Sequence, residues 1–498
     1  MTKARMQSTD PGRFRVAGNR GPIRHTVSLL AIACCAILLA GCGTTVVKGR
    51  ATSMLFDPNR VGGLPVTDGN SGLRPDAPDA TREVENTDGG EIDQIAALAI
   101  DDIEEFWSQN YTNLPGEFEP VTALVSYDSD DPDSPVICDE DTVGMVNAFY
   151  CGLDHLIAWD RGVMFSVALQ YFQDMGIVGI LAHEYGHAIQ RKARTIKKSD
   201  PVIVGEQQAD CFAGIYMRWV AAGKSSRFEL STGEGLNYVL AGIIYSRDPL
   251  MTEDEGGGIE RGHGSALDRI SAFQVGFAGN SDQCAAIDMD EIKERQGDLP
   301  HFLEYDNYGD TQPVNTEINE DTLQKLMGIL GDTFQPADAP KLSTDPEDCP
   351  DAKVSPPASY CPATNTISVD IAALKVLGKA KIEEKQEELL QGDNTAISVF
   401  MSRYALAVQH EKGLAIDTPV SAMRTGCLTG VAQAKMAEPG GDLVLSPGDA
   451  DEAIAGLLTN GLAASDVNGT LLPAGFTRIL AYRSGLQGND DQCYQRFP

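Results

Sequence analysis

The chain has 498 residues, too many for one small compact core, and a composition with ample apolar residues and no long low-complexity tract. It carries 39 basic and 72 acidic side chains, a formal net charge of −33. Phosphate would be repelled by such a surface, so nucleic acid is excluded as a partner, and the acidity suits solubility outside the cytoplasm.

The N-terminus reads as a leader. Lys3, Arg5, Arg13, Arg15, Arg20 and Arg24 precede an apolar run from Val27 to Ala40 that is short for a membrane span. Leu39-Ala40-Gly41-Cys42 then resembles a bacterial lipobox. Residues 1–41 are therefore expected to be removed, and Cys42 to carry a lipid that anchors an exported protein to the cell membrane, facing the envelope. Residues 42–90, rich in Gly, Pro, Asp and Thr, are expected to form a flexible tether.

From Gly90 the apolar residues Ile92, Ile95, Ala96, Ala99, Ile103, Phe106 and Trp107 follow a helical stripe, which predicts a core-packing helix. Leu156–Trp159 reads as a short strand, either an edge that pairs with extended substrate or a buried core strand. A second apolar helix is expected over Met164–Phe172. The segment from Val178 to Gln190 contains HEYGH. Spacing of four places His183 and His187 on one helical face, one turn apart, where two imidazoles can meet one tetrahedral ion. Glu184 can then take a proton from a water at the metal's open position. Beyond the basic turn Arg191–Lys198 comes GEQQADCFAG, in which Glu206 and Asp210 share a face of a further helix. Glu206 is the expected third ligand, and Asp210 could hydrogen-bond a ligand imidazole and fix its tautomer. His263, after a Gly-rich stretch, admits two readings: an oxyanion donor, or a residue with no part in the chemistry.

Residues 291–315 are expected to link this domain (91–290) to a second one (316–498) that repeats its plan. The Tyr150-Cys151 element matches Tyr360-Cys361, VGILAHEYGHAIQ matches ISVFMSRYALAVQ, and Cys211–Gly214 matches Cys427–Gly430. Arg269–Cys284 likewise matches Arg478–Cys493. Eleven cysteines lose Cys34 and Cys35 with the leader and Cys42 to the anchor. The repeat register pairs the remaining eight as Cys138–Cys151, Cys211–Cys284, Cys349–Cys361 and Cys427–Cys493, as suits an exported chain. In the second copy Ser402, Arg403 and Leu406 replace His183, Glu184 and His187, while Ala422 and Gly426 replace Glu206 and Asp210. All five groups vanish together, which marks the first copy's residues as chemical and predicts one zinc ion per chain. Arg269 persists as Arg478 and therefore reads as structural; His263 becomes Leu472.

The ordered motifs HEYGH, EQQADCFAG and HGSALDR (His263–Arg269) resemble a bacterial neutral zinc metallopeptidase family, over roughly residues 93–285. That resemblance implies an α+β fold with a zincin-like, gluzincin-type catalytic domain, followed here by a degenerate copy. It also implies His183, His187 and Glu206 as zinc ligands, Glu184 as base, and a peptide or protein as substrate. The competing reading is a non-catalytic envelope lipoprotein whose paired domains bind another protein.

Overall fold

A computed structural model describes residues 45–47, 50–52, 56–256, 262–305, 315–345, 348–380, 389 and 391–498. The expected leader, the Cys42 anchor and nearly all of the acidic segment Lys381–Leu390 lie outside these residues. The chain forms two compact units, Met1–Ser53 and Met54–Pro498. In the first, Thr45–Val47 pairs antiparallel with Arg50–Thr52.

The second unit is α+β, helical in the main with small sheets. Helix α1, Glu91–Asn110, begins after Gly90 with Glu91 and Asp93 in its first turn, where carboxylates complement the helix dipole. Its predicted stripe is buried from Ile95 onward, with Ile103, Phe106 and Trp107 almost inaccessible, while Ile92 is half-buried. Strands β1 (Ala123–Tyr127), β2 (Ala148–Cys151) and β3 (Leu156–Asp160) follow. β3 lies in the middle, parallel to β1 and antiparallel to β2, and all five of its residues are buried. The edge-strand reading of Leu156–Trp159 is thereby corrected: a run bonded on both sides is apolar on both faces. The free edge belongs to β2.

Helix α2 runs Met164–Ala193 and is broken at Gln173, whose φ of 60° and ψ of −171° are not helical. The expected helix ending at Phe172 and the HEYGH helix thus join through one residue. Helices α3 (Val202–Ala221), α4 (Glu234–Tyr245), α5 (Ala266–Ala278) and α6 (Ser281–Ala285) complete the first half.

The second half repeats the order. Helix α7 (Glu320–Phe334) leads to β4 (Lys341–Ser343), β5 (Ala358–Cys361) and β6 (Thr366–Val369), with β6 central, parallel to β4 and antiparallel to β5. Helices α8 (Asp393–Glu411), α9 (Pro419–Ala437), α10 (Asp449–Thr459), α11 (Gly475–Leu486) and α12 (Asp490–Arg496) follow. All four disulfides join the expected pairs. The closest helix contacts are also duplicated. A Cβ on Gly276 would overlap the Cys211 carbonyl, and one on Gly485 the Cys427 carbonyl, so in both halves only glycine lets these backbones touch.

The division into two domains joined by a linker does not match the packing. One apolar core takes residues from both halves. Phe277 packs on Phe476 with ring centroids 5.1 Å apart, Gln274 Nε2 donates to Phe476 O at 2.9 Å, and Arg483 Nη1 donates to Ser271 O at 3.0 Å. Part of the supposed linker is a helix, Met289–Gln296, with Ile292 buried. The tether reading is also corrected for residues 56–90. Val61 is fully buried, Thr67 N–H donates to Thr232 Oγ1 at 2.8 Å, and Gly72–Leu73 pairs with Phe228–Glu229. The Gly, Pro and Asp that resemble a tether serve as turn residues between short pairings.

Candidate metal centre

The two helices that carry the motifs cross where the sequence has least bulk. Gly186 lies between His183 and His187, and a Cβ there would sit 2.8 Å from the Ala209 Cα on α3. That close approach lets one turn of α2 face one turn of α3. Glu206 Oε2 then lies 3.2 Å from His183 Nε2 and 3.5 Å from His187 Nε2, and one ligand atom from each of the three residues falls within 4.8 Å of the others. Zinc bonds of about 2.0–2.1 Å in tetrahedral array place ligand atoms about 3.3 Å apart, so both histidine–carboxylate separations fit a shared ion. Two imidazoles and one carboxylate are also the donor chemistry of a zinc site that keeps a position open.

Each ligand is held from behind. His183 Nδ1 is 2.7 Å from Asp210 Oδ1, and Asp210 is gripped through both oxygens by Arg269, at 2.9 Å from Nε and 2.8 Å from Nη2. Arg269 Nη1 further donates to the Ser246 carbonyl at 2.6 Å. His187 Nδ1 is 2.9 Å from Gln190 Oε1, and Gln190 in turn donates to the Gly205 carbonyl at the start of the Glu206 helix. Glu184 is buried, and its Oε2 accepts from the Tyr150 N–H of the β2 edge at 2.9 Å. His263 reaches the same cluster from a loop: its Nε2 is 3.5 Å from Glu206 Oε2 and its Nδ1 is 3.3 Å from Asp248 Oδ1.

The electrostatics follow from this packing. Burial opposes the charged form of His183, but Asp210 and then Glu206 outweigh it and hold the imidazole up to about 10. Burial works against His187 in the same way, and Glu206 again raises it. Burial disfavours the Asp210 carboxylate too, yet Arg269 and His183 bring it down to about 2. Glu206 is held well below the carboxylate range by both histidines, against its burial. Glu184 is the exception: burial raises it, and the opposing pull of His183 and His187 does not restore it. A cation must therefore displace protons from both histidines. Zinc affinity is expected to climb as pH rises and those protons leave. Competition with a coloured chelator at three pH values measures this, and a pH-independent affinity would contradict the assigned ligands.

His183, Glu184, His187, Glu206, Asp210 and His263 are thus brought together. Cys42 lies outside the described residues. Sequence reasoning missed Gln190, Asp248 and the role of Arg269. Gln190 and Arg269 were disguised by the repeat, because Gln409 and Arg478 occupy their places. Among the described residues, the guanidinium of Arg478 is held by the carbonyls of Leu457, Leu458 and Leu472 and by no carboxylate. In that second half Ser402, Arg403 and Leu406 are fully buried, and Arg403 Nη2 donates to Leu462 O at 2.7 Å and Ser465 Oγ at 2.8 Å. Comparison of the chain with protein-family models, curated proteins and solved structures finds no match, so the reading of this centre stands on its own geometry and sequence.

Proposed function

We propose that the chain is a zinc-dependent peptidase of the glutamate-type zincin kind, acting on extended peptide segments of envelope or secreted proteins. The observation that carries this reading is the convergence of His183, His187 and Glu206 on one point with the buried Glu184 beside them. These three residues would hold one ion per chain, since the second half supplies none of the equivalent side chains. Bound zinc would supply a Lewis acid that acidifies a water and polarises a scissile carbonyl.

The chain's own groups supply the remaining chemistry. Glu184, with its proton affinity raised by burial, accepts the proton of the attacking water and delivers it to the departing amine. Tyr150 N–H fixes one of its oxygens, so the carboxylate stays aimed while it exchanges the proton. His263, its Nδ1 turned toward Asp248, presents Nε2 to the cluster and can donate to the carbonyl oxygen as charge develops there. A groove of about 570 Å³ runs past Glu184, His187 and His263 along the β2 edge, and its lining includes Arg191 and Arg194. Substrate added as a further strand on Ala148–Cys151 would lie in it. An apolar recess of about 150 Å³, lined by Met175, Ile180, Val239, Ile243 and Phe273, opens beside His183 and Glu184 and suits one hydrophobic side chain. Attachment to the membrane through a lipid on Cys42 is part of the proposal and rests on the lipobox.

The test is a peptide-library digest with purified protein of known metal content. One zinc per chain is expected by elemental analysis, with hydrolysis lost on chelation and restored by zinc. Cleavage sites are expected to pair a hydrophobic residue with an acidic residue facing Arg191 and Arg194, and the acidic preference should fade in the Arg191→Ser/Arg194→Ser double variant. No hydrolysis by zinc-loaded protein across the library would defeat the reading.

A further inference from the structure

The second half holds a buried acidic cluster that the proposed chemistry does not use. Asp393 opens α8, and Asp449 and Glu452 lie in the first turn of α10. Their relative exposures are 2%, 4% and 9%, and one oxygen from each lies within 4.8 Å of the others. Backbone N–H groups grip the carboxylates: Thr316 N–H donates to Asp393 Oδ2 at 2.8 Å, Ser446 N–H to Asp449 Oδ2 at 2.8 Å, and Asn394 N–H to Glu452 Oε2 at 2.9 Å, while the Thr316 side chain and the Asp393 and Asn394 N–H groups also favour the Asp393 carboxylate. Among the described residues, the second oxygens of Asp393 and Asp449, Oδ1 in both, have no hydrogen-bond partner. Gly392 has no room for a side chain, because a Cβ would overlap the Glu452 carboxylate.

Acidic residues at helix N-termini ordinarily complement the helix dipole, and the gripping amides are of that kind. That accounts for the satisfied oxygens and leaves two buried, unpartnered ones beside a third carboxylate. An unpaired buried carboxylate is costly, and three together repel. Arg247, whose Nε stands 3.7 Å from Asp451 on the same helix turn, offsets the charge of Glu452 only in part. Either protons or a cation must compensate the cluster. With protons alone, burial and the charge of Asp393 push Asp449 up to about 9 and Glu452 up to about 8.

We propose that Asp393, Asp449 and Glu452 form a calcium site that ties the N-terminus of α8 to that of α10. The donor set is all oxygen and carries no imidazole or thiolate, which selects a hard cation over zinc. Calcium accepts a flexible, irregular shell that carboxylates, carbonyls and waters can complete together, whereas magnesium demands octahedral geometry and keeps most of its waters. The site is independent of the peptidase reading and stands or falls separately from it.

The experiment uses the full zinc-loaded protein, freed of calcium with a calcium-selective chelator and titrated with calcium chloride by calorimetry and thermal unfolding. One calcium per chain is expected, with Kd in the range of about 10⁻⁶ to 10⁻³ M and a rise in Tm. Asp449→Asn and Glu452→Gln keep the size and the amide contacts, so they should fold, retain zinc, and bind calcium at least about tenfold more weakly. The pH dependence gives a second readout. A folded-state pKa above the unfolded value means the native state holds extra protons, so calcium-free stability should fall as pH rises from about 4 to about 9. Asp451, Arg247 and Tyr482 also face the cluster and contribute to the slope, but only calcium-dependent flattening of it reports the site. No heat and no Tm change at about 10 mM calcium, with the slope intact, would overturn the proposal in favour of protons alone. A calcium response that survives in both variants would overturn it too, by placing the ion elsewhere.

Discussion

Replacing Glu184 by Gln should lower kcat for peptide hydrolysis by about 10²- to 10⁴-fold while leaving one zinc per chain and an unchanged thermal midpoint. The amide keeps the volume of the carboxylate in a nearly closed site, and its oxygen can still accept from Tyr150 N–H. What it loses is the ability to take up a proton. Glu184 is not among the three groups that converge on the ion, so metal content should not follow activity down. The measurement pairs elemental analysis with steady-state kinetics on one cleaved peptide. Activity within tenfold of the parent would remove Glu184 as the base, and loss of zinc together with activity would point to a ligand role.

Cutting the buried ion pair behind His183 should have the largest effect on stability. Arg269→Met leaves the Asp210 carboxylate buried with only His183 as a charged partner, and leaves the Ser246 carbonyl without its donor. Removing one member of such a pair typically costs about 3–5 kcal/mol. Zinc affinity should also drop by about 10- to 100-fold, because Asp210 orients the ligand imidazole through Nδ1. Arg478→Met is the control from the other half. Its guanidinium meets only carbonyls, so no charge is stranded and the loss should be smaller. Denaturant titration of both variants in the zinc-free form separates the folding term from the metal term. Equal losses in the two variants would show that Asp210 is not the reason.

Much of this was legible in the sequence because the chain is written twice. The register of Cys211–Cys284 against Cys427–Cys493 identified the long disulfides, and the substitution of His183, Glu184 and His187 by Ser402, Arg403 and Leu406 separated chemistry from scaffold. The same device misled where a residue serves both purposes. Arg269 and Gln190 have counterparts, so their hold on Asp210 and His187 was invisible. Strand order was not legible at all, since Leu156–Asp160 has the apolar character of either a covered edge or a centre, and only hydrogen bonding on both sides distinguishes them. Nor was the order of residues 56–90, where single anchors such as Val61 lie among turn residues.

Phe277 against Phe476, and Gln274 and Arg483 reaching across, make the HEYGH-bearing half and its second copy one continuous interior. The arrangement behaves as a dimer whose subunits share a single polypeptide, so no dilution can separate them. Without the two histidines and Glu206 to present, the second half packs Ser402, Arg403 and Leu406 into its interior. The cleft therefore inherits rigidity from the neighbouring half, and an excised first half should expose apolar surface and aggregate.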